Sequence, residues 1–226
     1  MSGKSGSGKT TLIDSMVRQF NGLEMPGGNR VHLRKGKRYT TRDPRPDDDP
    51  NENIYVSLEE FYRLIKDNVI NRFYESESSR HLYGWDISIA PKENEFVFCT
   101  VNNPEAPELL KNEYDASNVL VEVPREITIE RIIKRGGSEE EIQKRIKTLD
   151  VDLGIMAYNI FGSKKFVGWN EQFYGLPGCR PGLADYIVEN TGDLDHTASV
   201  LFANLFRLAV EKQDIHLIPA QVRIKF

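Results

Sequence analysis

The tightest constraint on this chain lies at residues 3–10, which read GKSGSGKT and run straight into a helical pattern. Glycines at this spacing let successive backbone N–H groups turn toward phosphate oxygens with no side chain in the way. The helix start adds partial positive charge to the same spot. Lys9 is placed to hold β- and γ-phosphates, and Thr10 to set its hydroxyl on a Mg²⁺ that bridges them. The expected donor-phosphate residues are Gly3, Lys4, Ser5, Gly6, Ser7, Gly8, Lys9, Thr10 and Thr11, with Thr10 as the metal residue and Mg²⁺ as the cofactor. A buried strand must feed such a loop, yet only Met1 and Ser2 precede Gly3. The sequence therefore predicts that the first strand is missing from the chain and that the reading frame continues upstream in apolar, β-branched residues.

The remaining pattern alternates strands with helices. Thr11–Phe20 reads as a helix stopped by Asn21 and Gly22. Ser57–Asn68 reads as another, opened by a Ser57/Glu60 capping box and striped by Phe61, Leu64 and Ile65. Buried strands are expected at Glu95–Val101, Asn118–Val123 and Tyr186–Val188. Helices are expected at Pro104–Asn112, Arg125–Lys134, Glu139–Leu149 and Leu194–Val210, the last capped by Asp193 or Thr191. This alternation implies an α/β fold with a mostly parallel sheet between helices. Asp43–Asn53 reads as a loop. Phe161–Ala184, with five glycines and two prolines, reads as an insertion whose aromatics point to packing. The tail after Gln213 reads as an extra strand or an extension.

Composition narrows the function classes. The net charge of −4 argues against nonspecific nucleic-acid coating, but Lys and Arg outnumber acids ten to three from Met1 to Arg45, which suits a polyanion. No apolar run approaches membrane-spanning length and no leader opens the chain, so a cytoplasmic protein without membrane attachment is expected. Cys99 and Cys179 lack metal-ligand spacing and receive no function. His32, His81, His196 and His216 are scattered, so each is read as structural or superficial.

Further motifs follow the loop. Tyr39 to Arg45 reads YTTRDPR, Val56 to Phe61 reads VSLEEF, and Tyr83-Gly84 forms a pair. Arg131, Arg135 and Arg145 flank a Gly136-Gly137 break, and Asp185 to Asn190 reads DYIVEN. In this set the chain resembles the guanylate kinases, over roughly Met1–Leu149 and again from Asp185. The resemblance implies a three-layer P-loop NTPase-type fold with an acceptor-binding subdomain and a helical lid. It implies one domain over 1–226: a P-loop core at 1–35, the acceptor subdomain at 36–92, core at 93–135, lid at 136–160, insertion at 161–184, and core with tail at 185–226. It also implies transfer of the ATP γ-phosphoryl group to GMP or dGMP, with small-molecule nucleotides, and neither nucleic acid nor membrane, as partners. Oligomeric state is not readable from the sequence.

By the same resemblance, Lys9, Arg42, Arg135 and Arg145 are the catalytic cations. Arg42, Arg45, Glu75, Tyr83 and Asn102 bind the acceptor, with Glu77 an alternative to Glu75 as reader of the guanine edge. Two arginines three residues apart can fork onto a monophosphate, and no dedicated base is needed because the acceptor oxygen is already ionised. The chain departs from the family at Arg38, in place of a base-reading serine, and at Asn53, in place of a phosphate-contacting tyrosine. It departs again at Trp85, after the Tyr-Gly pair, and at Cys99 to Asn102, which lack the family's aspartates. The departures keep two other readings open: a kinase for another nucleotide or a sugar phosphate, and a noncatalytic binding module.

Overall fold

The computed structural model describes residues 1–4, 6–25, 28–45, 48–76, 80–101, 105–147, 149 and 186–211. The 161–184 insertion and the tail after Gln213 lie outside them.

Helix α1 (Lys9–Phe20) begins at Gly8, whose left-handed backbone (φ 85°, ψ 21°) turns the chain from loop to helix. Its inner face buries Leu12, Ile13 and Met16 completely, each contributing roughly 1.5–3 kcal/mol. The other elements follow in order: β1 (His32–Lys35), β2 (Arg38–Thr40), β3 (Asn53–Tyr55), α2 (Leu58–Lys66), β4 (Arg72–Glu75) and β5 (Leu82–Trp85); then a 3-10 turn (Ile87–Ile89), β6 (Glu95–Phe98), α3 (Glu105–Tyr114), β7 (Val119–Glu122) and α4 (Arg125–Arg135). Helix α5 covers residues 139–147, and β8 (Tyr186–Glu189) and α6 (Leu194–Glu211) follow.

The expected parallel strands are present, though divided. β1 pairs with β6 and β7 with β8, both in parallel. Between the two pairs stands Ser2, which bridges Val101 on one side and Leu120 on the other, again in parallel. Its N–H donates to Val119 O and its carbonyl accepts from Val121 N, each at 2.8 Å, while Met1 O accepts from Val101 N at 2.9 Å. The place of the expected first strand is thus central, and Met1 and Ser2 hold it among the described residues. Val119, Leu120 and Val121 are all buried. Since successive side chains point to opposite faces, β7 is covered on both.

Helices α1 and α6 pack over these strands in one cluster, where the Phe20 and Phe202 rings stack at 4.2 Å. Asp193 caps α6 by accepting from Asp195 N and His196 N, which resolves the two caps left open by the sequence.

A second sheet, in the order β3-β2-β5-β4, was not expected. β2 and β3 are parallel, while β5 is antiparallel to both β2 and β4. These strands are three or four residues long and carry Arg38, Arg72 and Glu75, so they lack the apolar runs that mark a buried strand. β3 also begins at Asn53, inside the last residue of the predicted loop. Helix α2 covers this sheet through Phe61, which packs with Ile70 and Leu82.

Only half of its predicted capping box forms. Ser57 Oγ accepts from Glu60 N at 3.1 Å, but the Glu60 carboxylate pairs with Arg63 instead. Trp85 is fully buried with Tyr74, Ile89, Val101, Ala106 and Leu110. It fills the seam between the sheets and has no face left to stack on a base. No helix among the described residues is long and apolar enough to cross a membrane.

Candidate functional site

In open α/β sheets, ligands bind beyond the carboxyl ends of the parallel strands. Here those ends carry Gly3 after Ser2, Glu122 on β7, and Asn190 after β8. A cavity of about 430 Å³ lies elsewhere, at the opening ends of β6 and β7, among Met1, Phe96, Phe98, Val119 and Leu205. It shares no residue with the glycine loop beyond Met1, so the loop and not the cavity is the candidate site.

The loop is built by close approach. A Cβ on Gly3 would lie 2.7 Å from Val121 O, and one on Gly8 would lie 2.5 Å from Asn190 Nδ2. Only glycine fits at either position, and Gly8 also needs its positive φ. Asn190, which is 3% exposed, fastens the loop from β8: its Nδ2 donates to Ser7 O at 2.9 Å and its N–H to Glu122 O at 2.9 Å. The Lys9 ammonium donates to Gly3 O at 2.7 Å and Lys4 O at 2.8 Å, which centres its charge within the loop. Helix α1 starts there with no acid in its first turn and no side-chain cap. Its positive end is therefore not neutralised from within the helix.

Three residues of the motif take other directions. The Lys4 ammonium faces Glu122 Oε2 at 3.9 Å, and burial raises the Glu122 carboxyl against that partner. Thr11 is exposed. Thr10 Oγ1 donates to Glu52 Oε2 at 3.2 Å. Ser5 lies outside the described residues.

Two buried groups at the loop have no partner among the described residues: Ser7 Oγ and Arg131 Nη1. Arg131 Nη2 donates to Asn190 O at 2.9 Å, which brings Nη1 to 3.6 Å from where a Gly8 Cβ would sit. Burial, then the neighbouring Arg135, holds the Arg131 guanidinium below its ordinary pKa. A cation left unpaired in this way is a strong anion attractor. Arg131 reaches the loop. Arg135 is exposed in the last turn of α4.

A second cationic cluster stands on the four-stranded sheet. Arg42, 8% exposed, forks onto Asp48 with two hydrogen bonds of 2.8 Å, and its guanidinium lies over the Tyr55 ring. Asp48 also accepts from Tyr55 Oη and from Arg45 N, both at 2.6 Å. Burial alone would raise the Asp48 carboxyl. The Arg42, Tyr55 and Arg45 hydrogen bonds override it and hold the group down at about 2. Arg45 is held below its ordinary value by desolvation, then by the Arg42 guanidinium and by that of Arg145 on α5.

Tyr83 lies within electrostatic reach of Arg42 and Arg45. Its ring carries the Arg38 guanidinium at 5.0 Å and stacks on Tyr74. Arg38 itself donates from Nε to Asn53 Oδ1 at 2.9 Å and from Nη1 to Thr100 O at 2.6 Å. Glu75 is exposed and paired with Arg80 at 2.7 Å, at the far end of β4. Asn102 and Glu77 lie outside the described residues.

Of the expected site residues, Lys9 stands in the glycine loop, Arg42, Arg45 and Tyr83 stand together at the four-stranded sheet, and Arg145 lies on α5. Asn190 and Glu52, which touch the loop and Thr10, were not among the expected residues. Asn190 closes the DYIVEN stretch, a signal that was present but carried no role. Burial raises the Cys99 thiol, which fits its having no catalytic assignment.

No family model and no curated protein matches the chain. Among solved structures, a guanylate kinase from Anaplasma phagocytophilum is similar, with 15% sequence identity and a TM-score of 0.51, covering 92% of this chain and 82% of that one. At that identity the likeness is one of fold, and it supports a guanylate-kinase-like mixed α/β architecture.

Proposed function

We propose that this protein is a P-loop phosphotransferase that moves the γ-phosphoryl group of ATP to a nucleoside monophosphate, with GMP or dGMP as the acceptor. The observation that carries the reading is the pair of cationic sites. One is the glycine loop with Lys9 and the unpartnered Arg131 Nη1; the other is Arg42 and Arg45 beside the separate four-stranded sheet, with Arg145 of α5. A donor polyphosphate and an acceptor monophosphate are the anions that such a pair would hold toward each other.

In this reading the loop amides and Lys9 hold the donor chain, and Arg131 joins them from α4. An acceptor phosphate takes the Arg45 guanidinium and, in exchange for Asp48, that of Arg42. An acceptor oxygen then bonds to the γ-phosphorus as the bond to the β-bridging oxygen breaks, and the electron pair leaves with ADP. No side-chain base takes part, because the attacking oxygen is already ionised. Arg145, reaching the acceptor cluster from α5, offsets charge and helps exclude water over 136–160, the region we assign as lid. The Thr10 hydroxyl, at the start of α1, fits a hard divalent cation, and Mg²⁺ held there would neutralise phosphate charge.

A second reading, a kinase for a different phosphorylated acceptor, is favoured by one observation. Arg38 stands where the family pattern has a base-reading serine, the fully buried Trp85 follows the Tyr-Gly pair, and both are committed to protein contacts. A coupled assay with magnesium and ATP against GMP, dGMP, the other nucleoside monophosphates and ribose phosphates separates the two. Turnover of GMP or dGMP supports the first reading and exclusive turnover of another acceptor the second. Nucleotide binding without any turnover would leave only a binding module.

A further inference from the structure

In the loop that leads into β3, Glu52 places its carboxylate between two threonine hydroxyls from different parts of the core. Oε2 accepts from Thr10 Oγ1 at 3.2 Å, and Oε1 accepts from Thr100 Oγ1 just beyond β6. Its backbone is fixed on both sides: Glu52 N donates to Asp49 O and Glu52 O accepts from Arg38 N, each at 3.1 Å. The side chain is only 14% exposed. The bland account is that Glu52 neutralises Arg38. Yet Arg38 Nη2 stays 3.7 Å away, while its Nε and Nη1 are satisfied by Asn53 and Thr100 O. The nearest contacts of the carboxylate are the hydroxyls.

We infer that Glu52 is the protein carboxylate that joins Thr10 in holding the divalent cation accompanying the donor nucleotide. The inference rests on the reading of the glycine loop as the donor site. A threonine hydroxyl can donate its proton to a carboxylate while turning a lone pair to a cation, so the Thr10–Glu52 bond is compatible with both oxygens serving one ion. Among the described residues no group of three or more His, Cys, Asp or Glu could hold a metal. One hydroxyl and one carboxylate, with phosphates and water supplying the rest, is a donor set that Mg²⁺ accepts and that tightly caged cations do not. The described stretch after β6 reads Cys99, Thr100, Val101 and carries no acid. Here the acid arrives from the acceptor-side sheet, so the cation would tie β3 to α1.

The test is a fluorescence titration of the full chain with mant-ATP, once in EDTA and once with Mg²⁺, for the wild type and Glu52→Gln. The wild type should bind more tightly with Mg²⁺. Glu52→Gln should cut that metal-dependent gain by about tenfold, the lower end of the loss seen when metal-supporting groups are removed, while leaving affinity in EDTA unchanged or raised. A merely structural role would weaken both titrations alike.

If the wild type binds mant-ATP in neither buffer, the donor-site reading itself fails. If it binds equally in both, or if Glu52→Gln keeps the full gain, Glu52 is not a metal residue although the donor site stands. Should Glu52→Gln fail to fold, Glu52→Asp carries the test, because it keeps a charge near Arg38 and withdraws the carboxylate by one methylene. Loss of the metal gain with an unchanged melting temperature supports the assignment, and a retained gain overturns it.

Discussion

Fastening the glycine loop through Asn190 predicts a non-additive pair of mutations. Asn190→Ala removes the 2.9 Å bond to Ser7 O, a buried carbonyl, and leaving such a group unsatisfied costs about 1–3 kcal/mol. For a chain of this length that lowers the melting temperature by about 2–4 °C per kcal/mol. Gly8→Ala meets two penalties. Its left-handed backbone costs a non-glycine residue about 1–2 kcal/mol, and its Cβ would sit 2.5 Å from Asn190 Nδ2. The amide must then withdraw, which forfeits the same bond to Ser7 O. The double variant should therefore be no less stable than Gly8→Ala alone. In urea unfolding, Asn190→Ala should cost about 1–3 kcal/mol in the wild-type background and close to zero in the Gly8→Ala background, a coupling as large as the bond itself. An equal cost of Asn190→Ala in both backgrounds would refute the claim that the two residues act on one contact.

The other predictions concern Asp48, the start of α2 and Arg131. The Asp48 carboxyl is depressed from 3.8 to about 2, so its contribution is present above the unfolded value and is lost as pH falls through about 2. At 1.36 kcal/mol per decade this is about 2 kcal/mol, reduced to about 1 kcal/mol by solvent around the pair. Asp48→Asn should destabilise at pH 6 by that amount and progressively less toward pH 2.5 in urea melts; a constant difference would contradict the ion pair. Ser57→Ala removes the α2 cap and should cost about 1 kcal/mol, whereas Glu60→Gln, lacking the reciprocal cap bond, should leave the melting temperature nearly unchanged. Arg131→Gln should weaken ATP binding more than Arg135→Gln does in calorimetric titrations, since the Arg131 guanidinium lies beside Gly8; the reverse order would remove Arg131 from the proposed donor site.

The glycine loop was legible because its demands are local: glycine where a Cβ meets Val121 O, and a helix directly after. The helices and the parallel core strands were legible for the same reason, since apolar spacing alone marks a face such as that of Leu12, Ile13 and Met16. What failed to show depends on contacts across the fold. Arg131 and Arg135 are four residues apart, so helical spacing puts them on one side, and the approach of Arg131 to Gly8 depends on how α4 packs against the loop. Glu52 lies in a Pro- and Asp-rich stretch without periodicity, and its proximity to Thr10 arises from a sheet of short, charged strands that carried no strand signal. Trp85 illustrates the converse: its identity is plain, but its complete burial follows from how α3 meets the second sheet.

Whether the loop around Lys9 grips the phosphate chain of a nucleotide is decided by a calorimetric titration with magnesium and ATP. The wild type should release heat with a saturable one-site curve, and Lys9→Ala should lose most of that affinity while keeping its melting temperature within a few degrees. No heat with the wild type, or equal affinity in Lys9→Ala, would contradict that grip.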